Sequence, residues 1–151
     1  MIGQSEMNDR NPSERQAMPE PTAAVPDRLI VVDDNSGITE FVTTVAESCG
    51  YEACAASSLP ALKALLPTFR PTVIALDLTM PDADGIEVMT WLAQAGYGAH
   101  VLLISGTTPD LLSAATKLGS ALGLNIVGTL AKPFGLGVLR GHLNDLSLVQ
   151  K

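Results

Sequence analysis

Basic side chains are scarce in this chain. It has 9 lysines and arginines against 16 aspartates and glutamates, which gives a formal net charge of −7 at pH 7. A protein that binds a nucleic-acid backbone needs a basic face to neutralise the phosphates. The composition therefore argues against nucleic acid as a direct partner.

Long apolar runs and cysteines are also few. No apolar run approaches the roughly 20 residues of a membrane-spanning helix, and residues 1–13 hold no stretch typical of a signal peptide. We therefore expect a cytoplasmic protein without membrane contact. The two cysteines, Cys49 and Cys54, have neither CxxC nor metal-type spacing, so we predict that both are buried free thiols.

Residues 1–27 lack the apolar periodicity of a folded segment. They are polar, and their five acids against two arginines supply −3 of the net charge of −7. Such a segment cannot bury enough surface to offset the entropy cost of ordering it. We predict a disordered tail over 1–27 and one folded domain over 28–151, a length that suits a single core.

From residue 28 onward, short apolar runs alternate five times with helical patterns. This alternation predicts repeated strand-helix units around a parallel sheet. The predicted strands lie within 28–34, 51–56, 71–77, 99–105 and 124–134, and the predicted helices within 36–50, 59–68, 84–96, 109–123 and 135–149. The fold class is therefore α/β, a single doubly wound (βα)5 flavodoxin-like domain with a five-stranded parallel sheet.

Two helical patterns carry specific predictions about burial. The last helix has a leucine stripe that should face the core. The indole of Trp91 lies off the main apolar stripe of its helix and should be partly exposed. The leucine stripe of the last helix consists of Leu136, Leu139, Leu143 and Leu146.

Polar side chains come where the apolar strands end. Asp33 and Asp34 end the first strand, and Asp77 ends the third. Ser105 ends the fourth strand, and Lys132 lies just past the fifth. Open parallel sheets bind ligands outside the carboxyl ends of their strands, so we expect these five side chains to converge there.

The chemistry of this set favours phosphoryl transfer beside a metal ion. Carboxylates gathered closely raise one another's pKa unless a cation joins them, and hard oxygen ligands suit Mg²⁺. A carboxylate oxygen can act as the nucleophile, while a metal, an ammonium and a hydroxyl neutralise the phosphoryl oxygens. The cluster is therefore predicted to hold Mg²⁺ next to a reactive carboxylate.

Four motifs in order resemble the receiver domain of bacterial two-component response regulators. They are the paired acids after an apolar strand, "LDLTMPDADG", the serine of "LLISG" and "AKPF". The resemblance covers roughly residues 28–149. By this resemblance Asp77 is the phospho-accepting aspartate, and Asp33 and Asp34 hold Mg²⁺ with it. Thr79 falls where a backbone carbonyl joins the metal ligands.

The resemblance also assigns the remaining polar residues. Ser105 matches the switch hydroxyl that follows the phosphoryl group. Lys132 matches the lysine that pairs with that group, and its bond to Pro133 would be cis. One position departs from the family, because Thr129 stands where an aromatic switch residue is usual. The readout of phosphorylation is therefore expected to be unusual.

The resemblance implies a signalling role and its partners. A histidine kinase or histidine phosphotransfer protein would donate the phosphoryl group, and a downstream effector protein would bind the changed surface near the fourth and fifth helices. A homodimer through the face of the fourth helix, fifth strand and fifth helix belongs to the same expectation. No enzymatic activity is implied beyond self-phosphorylation from small donors and autodephosphorylation.

Two other functions are weighed against this role. A haloacid-dehalogenase-type phosphatase also uses a strand-end aspartate beside magnesium. That class, however, requires a second aspartate two positions after the first, where this chain has Thr79. A receiver-like module that binds partners without phosphorylation is favoured by Thr129 and opposed by the complete acid, hydroxyl and lysine set.

Several polar residues have structural readings of their own. Ser105 could equally cap the helix that follows it. Asp82 and Asp84 fit a turn and a helix start better than a metal site. His100 and His142 stand apart from any cluster that could bind metal.

Overall fold

The computed structural model describes residues 26–80, 85–106 and 108–147. Five strands alternate with five helices, as the apolar pattern predicts. The strands are β1 (Arg28–Val32), β2 (Glu52–Ala56), β3 (Val73–Asp77), β4 (His100–Ser105) and β5 (Asn125–Ala131). The helices are α1 (Ser36–Ser48), α2 (Leu59–Phe69), α3 (Gly85–Ala95), α4 (Pro109–Ala121) and α5 (Leu136–Leu146).

The strands form one parallel sheet in the order β2-β1-β3-β4-β5. The chain runs outward from β1 to β2 and then crosses to β3 on the other side of β1. Strand order therefore reverses between β1 and β3, which is where open α/β sheets form their ligand crevice. The predicted α/β class and five-stranded parallel sheet are confirmed.

Both faces of the sheet are buried, which explains why its inner strands read as continuous apolar runs. Ile30 and Val32 of β1 pack on the side of α2, α3 and α4. Leu29 and Val31 point the other way and pack with residues of α1 and α5. Successive side chains of one strand thus serve two cores.

Short polar residues start the first two helices. The Asn35 side chain accepts a hydrogen bond from the Ile38 amide at 3.1 Å, and the Ser58 side chain accepts one from the Ala61 amide at 3.2 Å. These contacts satisfy amides that would otherwise lack a partner at a helix start. The first of them begins α1 directly after the predicted acids Asp33 and Asp34.

Gly85 begins α3 in close contact with the end of β3. A Cβ atom there would lie 2.6 Å from the Cα of Leu78, which is too close for any side chain. A glycine therefore lets the helix start against the residue that follows Asp77.

Two burial predictions need correction. Leu136 of the α5 stripe is 45 % exposed, whereas Leu139 and Leu143 are buried. Leu136 opens the first turn of α5, at the edge of the layer that α5 packs on the sheet. Cys49 is a buried free thiol as predicted, but Cys54 is half-buried because β2 is an edge strand.

Other burial predictions hold or fall outside the described ranges. Trp91 is half-buried as predicted, and the Lys63 ammonium lies 5.5 Å from the centroid of its ring.

The tail predicted over 1–27 lies outside the described residues up to position 25. Asp27 belongs to the compact unit Asp27–Ser147 and is buried. No helix within 26–80, 85–106 or 108–147 is both long and apolar enough to cross a bilayer.

Candidate functional site

The register of β1 and β3 places two acids side by side. Val32 pairs with Leu76, so Asp33 and Asp77 follow at the same level on neighbouring strands. Both carboxyl groups are buried, and Asp77 is only 2 % exposed. The crevice at the reversal of strand order is therefore lined by acids, as the sequence predicts.

A third acid completes the group. Asp33, Asp34 and Asp77 each offer a carboxylate oxygen, and these oxygens lie within 4.8 Å of one another. Asp34 is exposed, which leaves one side of the group open to solvent. Mg²⁺ prefers hard oxygen ligands and keeps several waters when it binds to proteins. Three converging carboxylates with one open side fit that cation.

Lys132 brings a positive charge to the same crevice. Its Nζ lies 3.1 Å from Oδ2 of Asp33 and 3.4 Å from Oδ2 of Asp77. Its backbone amide donates to the Ser105 carbonyl at 2.8 Å, and the bond to Pro133 is cis, as predicted. The ammonium thus bridges two carboxylates that come from different strands.

Burial and charge oppose each other in this pair. Burial raises the pKa of Asp33, and the negative charge of Asp77 adds to this, while the Asn35 amide and Lys132 act against it. Burial alone would lower the pKa of Lys132. The hydrogen bond to Asp33 and the charges of Asp77 and Asp33 outweigh it, so the pKa of Lys132 is raised. The ammonium form is therefore favoured in the crevice.

Thr79 contacts Asp77 in a way that the sequence did not indicate. Its backbone amide and its hydroxyl both donate to Oδ1 of Asp77, at 3.2 Å and 3.0 Å. By resemblance the backbone carbonyl of Thr79 is expected to be a metal ligand, and that role stays a prediction. A threonine two positions after an aspartate is the signal that could have suggested the contact, since such side chains bond locally in turns.

Ser105 lies buried at the end of β4, one position beyond the residue that pairs with Asp77. The interpretation of Ser105 as a helix cap is wrong. Helix α4 begins at Pro109, and its N-cap residue is Thr108. The serine is too far from the first turn of α4 to serve as its cap, so its position favours the crevice.

Thr129 is exposed on β5 and borders a groove of about 450 Å³ against α4. The other lining residues are Pro109, Leu112, Ser113, Thr116 and Lys117. Thr129 is too small to fill this space. Where the family usually has an aromatic switch residue, this chain therefore has a small threonine and a groove beside the edge strand β5.

The remaining polar predictions lie away from the acids or outside the described ranges. The Nδ1 atom of His100 is 2.7 Å from Nδ2 of Asn125, a contact between β4 and β5. His142 packs with its ring over Gly128, where a Cβ atom would come within 2.8 Å of it. Asp82 and Asp84 fall in the gaps of the described chain.

A family model for the response regulator receiver domain matches residues 29–144, which is most of the chain. The chain belongs to the response regulator receiver domain family. It is a signalling domain of two-component, phosphorelay systems. The match favours the predicted signalling role over a haloacid-dehalogenase-type phosphatase.

Known proteins similar to this receiver include regulators of different lengths. The KDP operon transcriptional regulatory protein KdpE of Escherichia coli is 31 % identical over 115 residues, which cover 76 % of this chain and 48 % of that protein. Sporulation initiation phosphotransferase F of Bacillus subtilis is 27 % identical over 116 residues, which cover 76 % of this chain and 88 % of that protein. The receiver therefore spans about half the length of KdpE and most of the shorter relative.

A solved structure supports the same fold. The response regulator from Colwellia psychrerythraea superimposes with a TM-score of 0.69 at 34 % identity, covering 81 % of this chain and 97 % of that one. The similarity thus extends over nearly the whole of that regulator.

Proposed function

We propose that this receiver accepts a phosphoryl group on Asp77 from the phosphohistidine of a histidine kinase or histidine phosphotransfer protein. The observation that carries this proposal is the pairing of Lys132 with Asp77 inside the acid group. One buried carboxylate has a cation at 3.4 Å and two further carboxylates within ligand distance. These are the parts that phosphoryl transfer to a carboxylate needs.

Each residue has a defined task in the proposed transfer. An oxygen of Asp77 forms a bond to phosphorus while the bond from phosphorus to the donor imidazole nitrogen breaks and leaves its electron pair there. Lys132 pairs with a phosphoryl oxygen, and the Ser105 hydroxyl donates to another. Asp33, Asp34 and Asp77, with the Thr79 carbonyl, would hold Mg²⁺, which when bound offsets the negative charge of the phosphoryl group.

The output of the proposed switch is a change in protein binding. When Lys132 and Ser105 turn to the phosphoryl group, they shift the ends of β4 and β5 and the start of α4. A downstream effector, or a second copy of the chain, would read this change on the surface of α4, β5 and α5. The exchange with a kinase would take place in the cytoplasm, and the domain itself would turn over no other substrate.

The exposed Thr129 supports a second candidate, a receiver that binds partners without phosphorylation. Its groove against α4 is present without any modification of Asp77. The two candidates differ in one measurable property, the capacity of Asp77 to accept a phosphoryl group.

The test is phosphorylation by acetyl phosphate with Mg²⁺, followed by intact-mass analysis. We expect the parent chain to gain one phosphoryl group that is stable in acid and labile in base. Asp77→Asn should abolish the adduct because an amide cannot act as the nucleophile. Asp145→Asn makes the same change on the exposed face of α5 and should leave the adduct intact. No adduct on the parent, or an equal adduct on Asp77→Asn, would reject the assignment.

A further inference from the structure

Two cations lie against aromatic rings along the surface between α2 and α3, which we call the α2–α3 seam. The Lys63 ammonium of α2 lies 5.5 Å from the centroid of the Trp91 ring of α3. Where α2 ends, the guanidinium carbon of Arg28 lies 6.0 Å from the centroid of the Phe69 ring, and its Nε pairs with Glu52 at 2.9 Å. Helix α2 packs on β1 and β2, whereas α3 packs on α4, so long side chains cover the seam between them.

The seam is basic in a chain that is acidic overall. The formal net charge is −7, yet residues 53–76 contain Lys63 and Arg70 and no acid. The one acid of α3 is Glu87 in its first turn. No described carboxylate lies within ion-pair distance of Lys63 or Arg70, and both side chains are exposed. Both cations are therefore available to a carboxylate from outside the chain.

Arg70 occupies a backbone position that favours glycine. It caps the end of α2 with a φ of 53°, and within the described ranges it is the only non-glycine residue with a positive φ. Glycine would adopt this left-handed conformation with less strain. Burial raises the pKa of the Tyr97 phenol, and the charges of Arg70 and Arg28 oppose this shift, which places both guanidiniums near the phenol. A strained residue with an exposed charge beside an aromatic ring indicates a use for its side chain.

We propose that the α2–α3 seam docks an acidic segment of a partner protein. Lys63 and Arg70 lie two turns apart on α2, which is about 10 Å along the helix. An extended segment covers about 3.3 Å per residue, so carboxylates three positions apart can reach both cations. Apolar side chains between those carboxylates then lie against the rings of Trp91 and Tyr97. Tryptophan, tyrosine and arginine are the residues that most often dominate the binding energy of protein interfaces.

Charge selects both the partner and the place where it docks. The negative charge of the chain as a whole disfavours an acidic segment at other surfaces, while two cations without carboxylate partners favour it at the seam. The seam shares no residue with the crevice of Asp77. It is also distinct from the surface of α4, β5 and α5, so this inference does not depend on the proposed function.

Trp91 is the only tryptophan of the chain, so its fluorescence reports directly on the seam. The probe is a seven-residue peptide with glutamate at its first, fourth and seventh positions and leucine between them, titrated into the full chain at low ionic strength. We expect a saturable change in Trp91 fluorescence that weakens as salt is added. The same peptide with lysine in place of glutamate should not bind.

Two substitutions locate the binding. Lys63→Gln and Arg70→Gly should each weaken peptide binding about fivefold, because each removes one ion pair. Arg140→Gln removes an exposed cation of α5 and should leave the affinity unchanged. Arg70→Gly should also keep the melting temperature of the parent chain, because glycine suits the left-handed backbone.

Four outcomes would overturn the inference. They are no fluorescence change with the glutamate peptide, equal binding of the lysine peptide, parent-like affinity in both seam variants, and loss of binding that comes with a lowered melting temperature in both. The last outcome would assign Lys63 and Arg70 to the stability of the fold. Weaker binding in both seam variants at an unchanged melting temperature would support the docking surface.

Discussion

Neighbouring aspartates in this receiver have opposite environments. Asp33 is buried and pairs with Lys132, whereas Asp34 is exposed at the mouth of the same crevice. Burial of a carboxylate is costly unless a cation or hydrogen-bond donors compensate for it. Asp33 has both kinds of partner, the Lys132 ammonium and the Asn35 amide, which together offset the cost of burying its carboxylate. Asp34 has solvent on one side and is available to a cation from solution.

Substitution of Asp34 tests the metal site at the scale of one residue. Mg²⁺ that binds the folded state should raise the melting temperature by mass action. Asp34→Ala should remove most of that rise, because one of three carboxylate ligands is lost. Thermal melts with and without Mg²⁺ measure this rise in melting temperature. Glu47→Ala is the control, because it changes the net charge equally at an exposed position of α1. A rise that survives in Asp34→Ala, or is absent from the parent, would contradict the site.

At the scale of whole elements, a buried tyrosine joins β2 to α5. The hydroxyl of Tyr51 donates to the Leu143 carbonyl at 2.7 Å, and the side chain is buried. Burial raises the pKa of Tyr51 well above its usual range, and electrostatic interactions with Asp27 and Cys49 add to the shift. The phenol of the folded state therefore stays neutral at a pH where the unfolded chain ionises.

This shift predicts how stability changes at alkaline pH. Below about pH 10 the phenol is protonated in both states and its contribution to stability is complete. Above about pH 10 only the unfolded state loses the proton, so the free energy of unfolding falls until the folded pKa is reached. Tyr51→Phe should cost about 1 kcal/mol near neutral pH through the lost hydrogen bond, and it should flatten the alkaline decline.

Urea unfolding at several pH values up to about pH 11 checks this prediction. Tyr97→Phe is the control, because the Tyr97 phenol is half-buried and its pKa is also raised, chiefly by burial. We expect the larger flattening in Tyr51→Phe. An equally steep decline in that variant and the parent would show that Tyr51 does not control alkaline unfolding.

At the scale of the molecule, a buried hydrogen bond joins the residue before β1 to the residue after α5. The Ser147 hydroxyl donates to Oδ2 of Asp27 at 2.6 Å, and both residues are buried. The Asp27 carbonyl also accepts from the Glu52 amide at 2.9 Å. Asp27, the residue before β1, thus bonds both to β2 and to the end of α5. These contacts lie at the amino ends of the strands, opposite the acids.

Ser147→Ala should therefore destabilise the whole domain. The buried carboxylate of Asp27 loses a donor, at a cost of about 1–3 kcal/mol. Urea unfolding measures the free energy change, with Ser120→Ala on the exposed side of α4 as the matched control. A loss no larger than that of the control would mean that the contact adds nothing to stability.

Lys132 is expected to couple the crevice to the output surface. Acetyl phosphate with Mg²⁺ should change amide hydrogen exchange in α4 and β5 of the parent chain. Lys132→Ala should keep the fold but lose this change, compared at equal fractions of phosphorylated protein. An undiminished response in Lys132→Ala would remove the lysine from the proposed switch.

Much of the fold could be predicted from local sequence. Apolar runs and helical periodicity predicted the order of five strands and five helices, because each pattern reflects burial of one short element. The positions of Asp33, Asp77 and Ser105 at strand ends were predicted in the same way. The inward stripe of α5 failed at Leu136, since periodicity does not show where the packed layer ends.

The sequence by itself determined the alternating elements and the kinds of side chain at their ends. Only the tertiary structure decided that β1 lies between β2 and β3, which brings Asp33 level with Asp77. It also decided that Lys132 reaches Asp33 across 99 positions of chain, and that Thr79 turns its hydroxyl onto Asp77. The physical reason is that distance and burial depend on elements remote in sequence, whereas propensity and periodicity act only between near neighbours.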